Sequence, residues 1–186
     1  MKKRWYLIIP LIVILFFIML IWKKPIKSMI YLEDVNINEL TKYKINSVSD
    51  IGKVDEITNM LPGIISHTGT GLVWNNEANV QVGYSYYGGN KIELKRLERY
   101  WKDNREKILL FNATTYLILI PNVQKVTIAL DVPYKQKFEV TRKDLEKFYG
   151  NDLNEYFTNT SLWEKEVLKE TINSSHKLKP FFKLIK

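Results

Sequence analysis

The strongest constraint on what this chain can fold into is WYLIIPLIVILFFIMLIW, Trp5 to Trp22, a run of 18 residues without a charge. At the helical rise of about 1.5 Å per residue, it just reaches across a bilayer core. Lys and Arg stand at both ends, and Trp5, Tyr6 and Trp22 sit where interfacial aromatics gather. Pro10 lies in the first turns, where a membrane helix tolerates it. A cleaved signal peptide would have an apolar core of about 7–15 residues ending in a small-residue cleavage site. Here Ile21-Trp22-Lys23-Lys24-Pro25 follows, with no such site. Residues 1–27 are therefore expected to be an uncleaved transmembrane anchor, with the lipid bilayer as its partner through Trp5 to Trp22. Basic residues before and after the span give a slight bias toward a cytoplasmic N-terminus, with the rest of the chain outside.

The anchor also explains the charge. The chain carries a formal net charge of +8. Six of its 28 basic residues, and no acid, fall within residues 1–27, leaving 22 basic against 20 acidic. A nucleic-acid domain keeps a concentrated basic face after such a subtraction, so no nucleic-acid partner is expected. There is no cysteine, which removes disulfides, thiolate metal sites, a Cys nucleophile and lipoprotein acylation.

Residues 28–48 read as a linker and lead-in, residues 49–172 as one domain, and residues 173–186 as a basic tail. Within the domain, Ile51, Val54, Ile57 and Leu61 recur at helical spacing, with Ser49 or Asp50 to cap the start and Pro62-Gly63 to stop it. Gly63 to Gly71 reads as a loop. Leu72-Val73-Trp74 and Val80 to Tyr87 read as a hairpin around the polar turn 75–79, the second strand closed by Gly88-Gly89-Asn90. Lys91 to Lys107 reads as a charged helix carrying Leu94, Leu97 and Trp101 on one face, with Asp103-Asn104 either interrupting it or capping a second helix.

Ile108 to Leu130, ILLFNATTYLILIPNVQKVTIAL, looks at first like a second span. Its helical part, Ile108 to Ile120, is about 13 residues, short of the ~20 a crossing needs. Pro121-Asn122 ends it, and Val126, Ile128 and Leu130 then alternate with period two. A helix apolar nearly all round, followed by a strand, is a buried core unit. Lys135 to Val140 is its expected partner strand after a turn at Val132-Pro133-Tyr134. Thr141 and Asp144 form a capping box for a helix that stops at Gly150, and Ser161 and Glu164 repeat the pattern for a helix to about Ile172. The expected fold class is α+β: one N-terminal transmembrane helix, then a small, mostly antiparallel sheet (72–75, 80–87, 125–131, 135–140) packed with helices.

LTKYKINSVSDIGKVDEITNMLPG, then FNATTYLILIPNVQKVTI, then FEVTRKDLEKFYG resembles an uncharacterised bacterial family, the domain of unknown function numbered forty-eight twenty-five. The resemblance covers about Leu40 to Gly150, and the chain departs from it across residues 64–91. Its motifs are helix starts and stops. It implies a membrane or lipid anchor followed by one small extracytoplasmic domain, and no known activity.

No motif assembles a catalytic or metal site. His67 and His176 stand over a hundred positions apart, and there is neither H-E-x-x-H nor G-x-S-x-G. No catalytic residue, cofactor or metal is therefore assigned. Gly69-Thr70-Gly71 and Gly88-Gly89-Asn90 lack the lysine-serine ending of a phosphate loop and read as turn glycines. Glu93, Glu98, Asp103 and Glu106 lie among Lys and Arg at helical spacing, the pattern of a solvated face. Tyr84, Tyr86, Tyr87, Tyr100 and Trp101 form the richest aromatic cluster. It is a candidate recognition surface, with core packing the commoner use of such rings. HKLKPFFKLIK, His176 to Lys186, reads as a terminal strand or frayed tail, with docking on an anionic membrane as the alternative. The expected role is binding of a membrane or envelope partner protein or ligand outside the bacterial membrane. The alternatives are an envelope enzyme using carboxylates that no motif reveals, and a structural subunit of a membrane complex.

Overall fold

Alternation along the strands decides which side of the sheet is covered. Val80, Val82 and Tyr84, then Val126, Ile128 and Leu130, then Phe138 and Val140 are all buried, while Gln81, Ala129 and Lys137 between them are exposed. A computed structural model describes residues 29–45, 50–74, 77–85, 91–131, 135–173 and 175–184. Strands β1 (His67–Trp74), β2 (Ala78–Tyr84), β3 (Val123–Asp131) and β4 (Lys135–Thr141) form one sheet in the order β1-β2-β3-β4. The domain is α+β, as expected, but the sheet is mixed. β1 with β2 and β3 with β4 are antiparallel, whereas the central pair β2 with β3 is parallel. Parallel neighbours need a long crossover, usually a helix. The crossover here is helix α2, Lys91–Leu119.

Helix α2 is continuous, so the expected break at Asp103-Asn104 is absent. Asn104 instead donates its side-chain N–H to the carbonyl of Tyr100 one turn back. Its second half is the apolar run: residues 108–120 are all buried. The turn at Pro121-Asn122 and the switch into β3 follow as expected. No helix among the described residues is long and apolar enough to cross a membrane. The expected anchor, Trp5 to Trp22, lies outside the described residues, as does the turn at Val132-Pro133-Tyr134.

Helix α1, Ile51–Asn59, starts on the Asp50 side chain, which accepts from the Lys53 amide. Gly63 follows at φ +83° with the Trp101 ring so close that a Cβ there would lie 2.6 Å from Cζ2. Left-handed backbone and missing side chain are both required at that position. Residues 64–71 are not a loop: a short 3-10 turn, Ile64–Ser66, leads straight into β1, which begins five residues before the expected start. Gly69 and Gly71 are therefore strand residues. The segment read as a linker belongs partly to the domain, since Leu32, Ile37, Leu40 and Ile45 are buried in the core.

The C-terminal half is helical. Helix α3, Arg142–Tyr149, carries the expected capping box of Thr141 and Asp144 and closes on Gly150 at φ +79°. Helix α4 is Leu153–Thr158. Helix α5 runs over 160–173 in three parts: an α turn, Thr160–Leu162, a π-helix, Trp163–Lys169, and an α turn, Glu170–Asn173. Its cap is the Asn159 side chain, which accepts from the Leu162 amide, not the expected Ser161. Helix α6, Ser175–Leu184, replaces the expected strand or frayed tail. Leu178 and Phe181, one turn apart, are buried and hold it down.

The buried C-terminus of α2 raises the question of where its last carbonyls find donors. The amide of Ile45 donates to Leu119 O at 3.0 Å, and Ile120 N to Tyr116 O at 2.9 Å. The Arg142 guanidinium, almost fully buried, donates to the carbonyls of Leu117, Val123 and Ile120. A cation at a helix C-terminus also suits the helix dipole. The lead-in segment and the first residue of α3 thus together close one end of the central helix.

Candidate functional site

Three of the five aromatics considered for recognition lie in the core. Tyr84 follows Val80 and Val82 inward on β2, and its hydroxyl accepts from Asn112 Nδ2 at 3.0 Å. The same amide donates to Pro62 O at 2.9 Å. Trp101 is fully buried, with its ring centroid 5.1 Å from that of Tyr84 and its indole N–H on Ser66 Oγ at 3.0 Å. The Tyr100 hydroxyl accepts from the Leu32 amide at 2.9 Å. These rings cannot meet a partner without unfolding the domain. Tyr86 and Tyr87 lie outside the described residues.

A hydroxyl chain runs into the same core. Thr58 donates to Val54 O, so it accepts from both the Tyr116 hydroxyl (2.6 Å) and the Thr70 hydroxyl (3.2 Å). With its one hydrogen so used, Thr70 accepts from His67 Nε2 at 2.8 Å, which fixes that nitrogen as the protonated one. Thr70 thus joins β1 to α1, and His67 holds its hydroxyl from within the strand. His176 is exposed on α6. No group of three or more His, Asp or Glu placed to hold a metal ion occurs among the described residues. Glu98 and Asp103 are exposed on α2.

A cleft among the described residues lies elsewhere, between α3, α5 and α6. It has a volume of about 160 Å³ and is lined by Phe148, Tyr149, Glu166, Glu170, Thr171, Lys177 and Leu178. The π-helix builds it. An extra residue per turn lets positions spaced by four and five share a side, which brings Glu166, Glu170 and Thr171 to the same opening. Single π turns recur at functional sites because they redirect side chains in this way. Trp163, Val167 and Leu168 on the other side are buried and anchor the distorted segment.

Glu166 is held in place. The Tyr156 hydroxyl donates to its Oε2 at 2.9 Å, and Asn151 Nδ2 donates to the same oxygen at 3.0 Å. Oε1 accepts no hydrogen bond among the described residues. Glu170 is different, because Lys177 Nζ lies 2.7 Å from its Oε2. A chain of rings backs the cleft: Tyr156 on Tyr149 (5.7 Å), Tyr149 on Phe148 (4.9 Å), Phe148 on Phe181 (4.5 Å) and Phe181 on Phe182 (5.6 Å).

Burial raises the pKa of several phenols in these two regions. Tyr149 is pushed up to about 12 by burial, with the Thr114 hydroxyl opposing. Tyr84, Tyr100, Tyr116 and Tyr156 are pushed up further, again chiefly by burial. The native state therefore keeps protons that the unfolded chain releases near pH 10. Stability is expected to stay level up to about pH 10 and to fall as pH rises from about 10 through 12. Denaturant midpoints across that range check it; a midpoint still level at pH 12 would contradict the burial of these phenols.

Sequence reasoning passed over Glu166, Asn151, Tyr156 and Tyr149. Tyr149 entered only as the end of FEVTRKDLEKFYG, the other three belong to no motif, and a π turn leaves no amphipathic pattern of period 3.6 to read. The one available cue was the spacing of Leu178, Phe181 and Phe182, which fits a helix face. Comparisons with protein-family models, with curated proteins and with solved structures gave no match. The resemblance drawn from the sequence therefore rests on its motifs alone.

Proposed function

We propose that this chain is a single-pass membrane protein of a bacterial cell whose domain lies outside the cytoplasm and binds a ligand or partner side chain at the Glu166 cleft. The observation that carries the binding role is the cleft itself: a carboxylate fixed by two donors, one oxygen unused, against aromatic walls. The anchor role is supported by the uncharged run Trp5 to Trp22 with its basic and aromatic flanks. The resemblance to the family numbered forty-eight twenty-five supports the extracytoplasmic placement. An envelope enzyme would need a second working carboxylate, and Glu170 is tied to Lys177, so binding is the better reading.

The absence of cysteine makes the topology directly testable. Lys53 is exposed on α1 and Lys3 precedes the apolar run. A membrane-impermeant maleimide is expected to label Lys53→Cys in intact cells, and Lys3→Cys only after permeabilisation. The reverse pattern, or recovery of the chain without membranes, would sink the proposal.

A further inference from the structure

We infer that the ligand of the Glu166 cleft is a primary ammonium group on a short alkyl stem. This rests on the binding role proposed above and names its chemistry. Size comes first. A volume of about 160 Å³ is close to the ~150 Å³ of a protein cavity that takes a benzene ring, so the cleft holds about six non-hydrogen atoms. Charge comes second. Glu170 and Lys177 cancel at 2.7 Å, which leaves Glu166 as the one carboxylate among the lining residues that keeps its charge unmatched. An anion is repelled and a cation drawn in.

The form of the cation follows from the geometry. Both donors to Glu166 use Oε2, so a single oxygen, Oε1, remains. A guanidinium binds best through a fork to two oxygens, whereas an ammonium is a point donor that one oxygen serves well. A divalent metal needs more oxygen ligands than one carboxylate and the Thr171 hydroxyl provide. Phe148, Tyr149 and Leu178 line the same cleft and give the stem apolar contacts. The ammonium can come from a free alkylamine or from a lysine side chain of a polypeptide. Both present the same group to Oε1.

The test uses the full-length chain and three probes of similar size: n-butylammonium, 1-butanol and butanoate, followed by ligand-observed NMR. Butylammonium is expected to bind saturably, with butanol weaker by at least about tenfold and butanoate not binding, as loss of one charge-assisted bond implies. Glu166→Gln keeps the shape and both supporting bonds, and is expected to weaken butylammonium by about tenfold while leaving the melting temperature close to wild type. Lys177→Gln frees Glu170 and is expected to tighten butylammonium severalfold. That second variant keeps the test decisive if Glu166→Gln does not fold. Glu164→Gln, whose carboxylate pairs with Lys169 outside the lining, should change nothing. N-acetyl-lysine N-methylamide binding at least as tightly as butylammonium identifies a polypeptide source, and weaker binding a free amine. Equal binding of butanol, or indifference to both variants, overturns the ammonium assignment while keeping a binding cleft. No saturable binding by any probe overturns the cleft as a site altogether.

Discussion

Trp101→Ala is expected to destabilise the domain by about 3–5 kcal/mol, the range for deleting a fully buried large aromatic. The residue touches three separate parts of the fold. Its ring fills the space that Gly63 leaves open at the end of the α1 connection, leans on Tyr84 of β2, and donates to the buried Ser66 hydroxyl. Removing it leaves a cavity and strands the Ser66 oxygen. For a domain of this size the loss corresponds to a melting-temperature drop of about 10 °C or more. Trp101→Phe separates the contributions: it keeps most of the ring and loses the donor, for an expected loss of about 1–3 kcal/mol. Thermal unfolding of both variants checks the pair. If Trp101→Ala melts with the wild type, this ring is not core.

Arg142 gives the second large effect. Its guanidinium serves three backbone carbonyls where α2 meets β3, and its Nη1 lies 4.0 Å from Glu146. Burial draws its pKa down, opposed by Glu146, but a guanidinium stays charged at any ordinary pH. Arg142→Ala removes every donor at once and leaves buried carbonyls unsatisfied, each at about 1–3 kcal/mol, so a total loss of at least about 3 kcal/mol is expected. Arg142→Met restores the apolar stem without donors and should recover little. Arg142→Lys offers one flexible ammonium in place of a planar fork and should fall between. Glu146→Gln should cost under about 1 kcal/mol, because that pair is long and partly solvated. Denaturant midpoints of the four variants rank them. A methionine variant as stable as wild type would mean that the stem, not the fork, does the holding.

Much of the domain could be read from local chemistry. The Thr141–Asp144 box, the Gly150 stop, the Asp50 cap and the switch from helix to strand after Pro121-Asn122 are all encoded within a few residues. The failures share a different origin. The parallel central pair depends on which strand a distant strand chooses, and alternation reads the same for parallel and antiparallel neighbours. The π-helix depends on packing around Trp163 and Val167. Arg142 looked like one more charged residue at a helix start, because its acceptors lie 19 to 25 positions back. Trp101 carried the pattern of a face shared with Leu94 and Leu97, yet the polar tips of Tyr100 and Trp101 also suited a surface. Only their bonds to Leu32 and Ser66 decide between the two.

The parallel pairing of β2 with β3 has a consequence for the order in which the chain can assemble. Val80 pairs with Val126, 46 positions later, while each outer pairing is a local hairpin. The β1–β2 hairpin can close as soon as it is made, but it then carries an unsatisfied inner edge until all of α2 and β3 exist. Closing so long a loop is slow relative to a hairpin turn. During synthesis, therefore, the most adhesive edge in the domain is the one that ends up most protected. A chain stalled or cut within α2 would expose it, and that edge is where a chaperone or another nascent copy would first take hold.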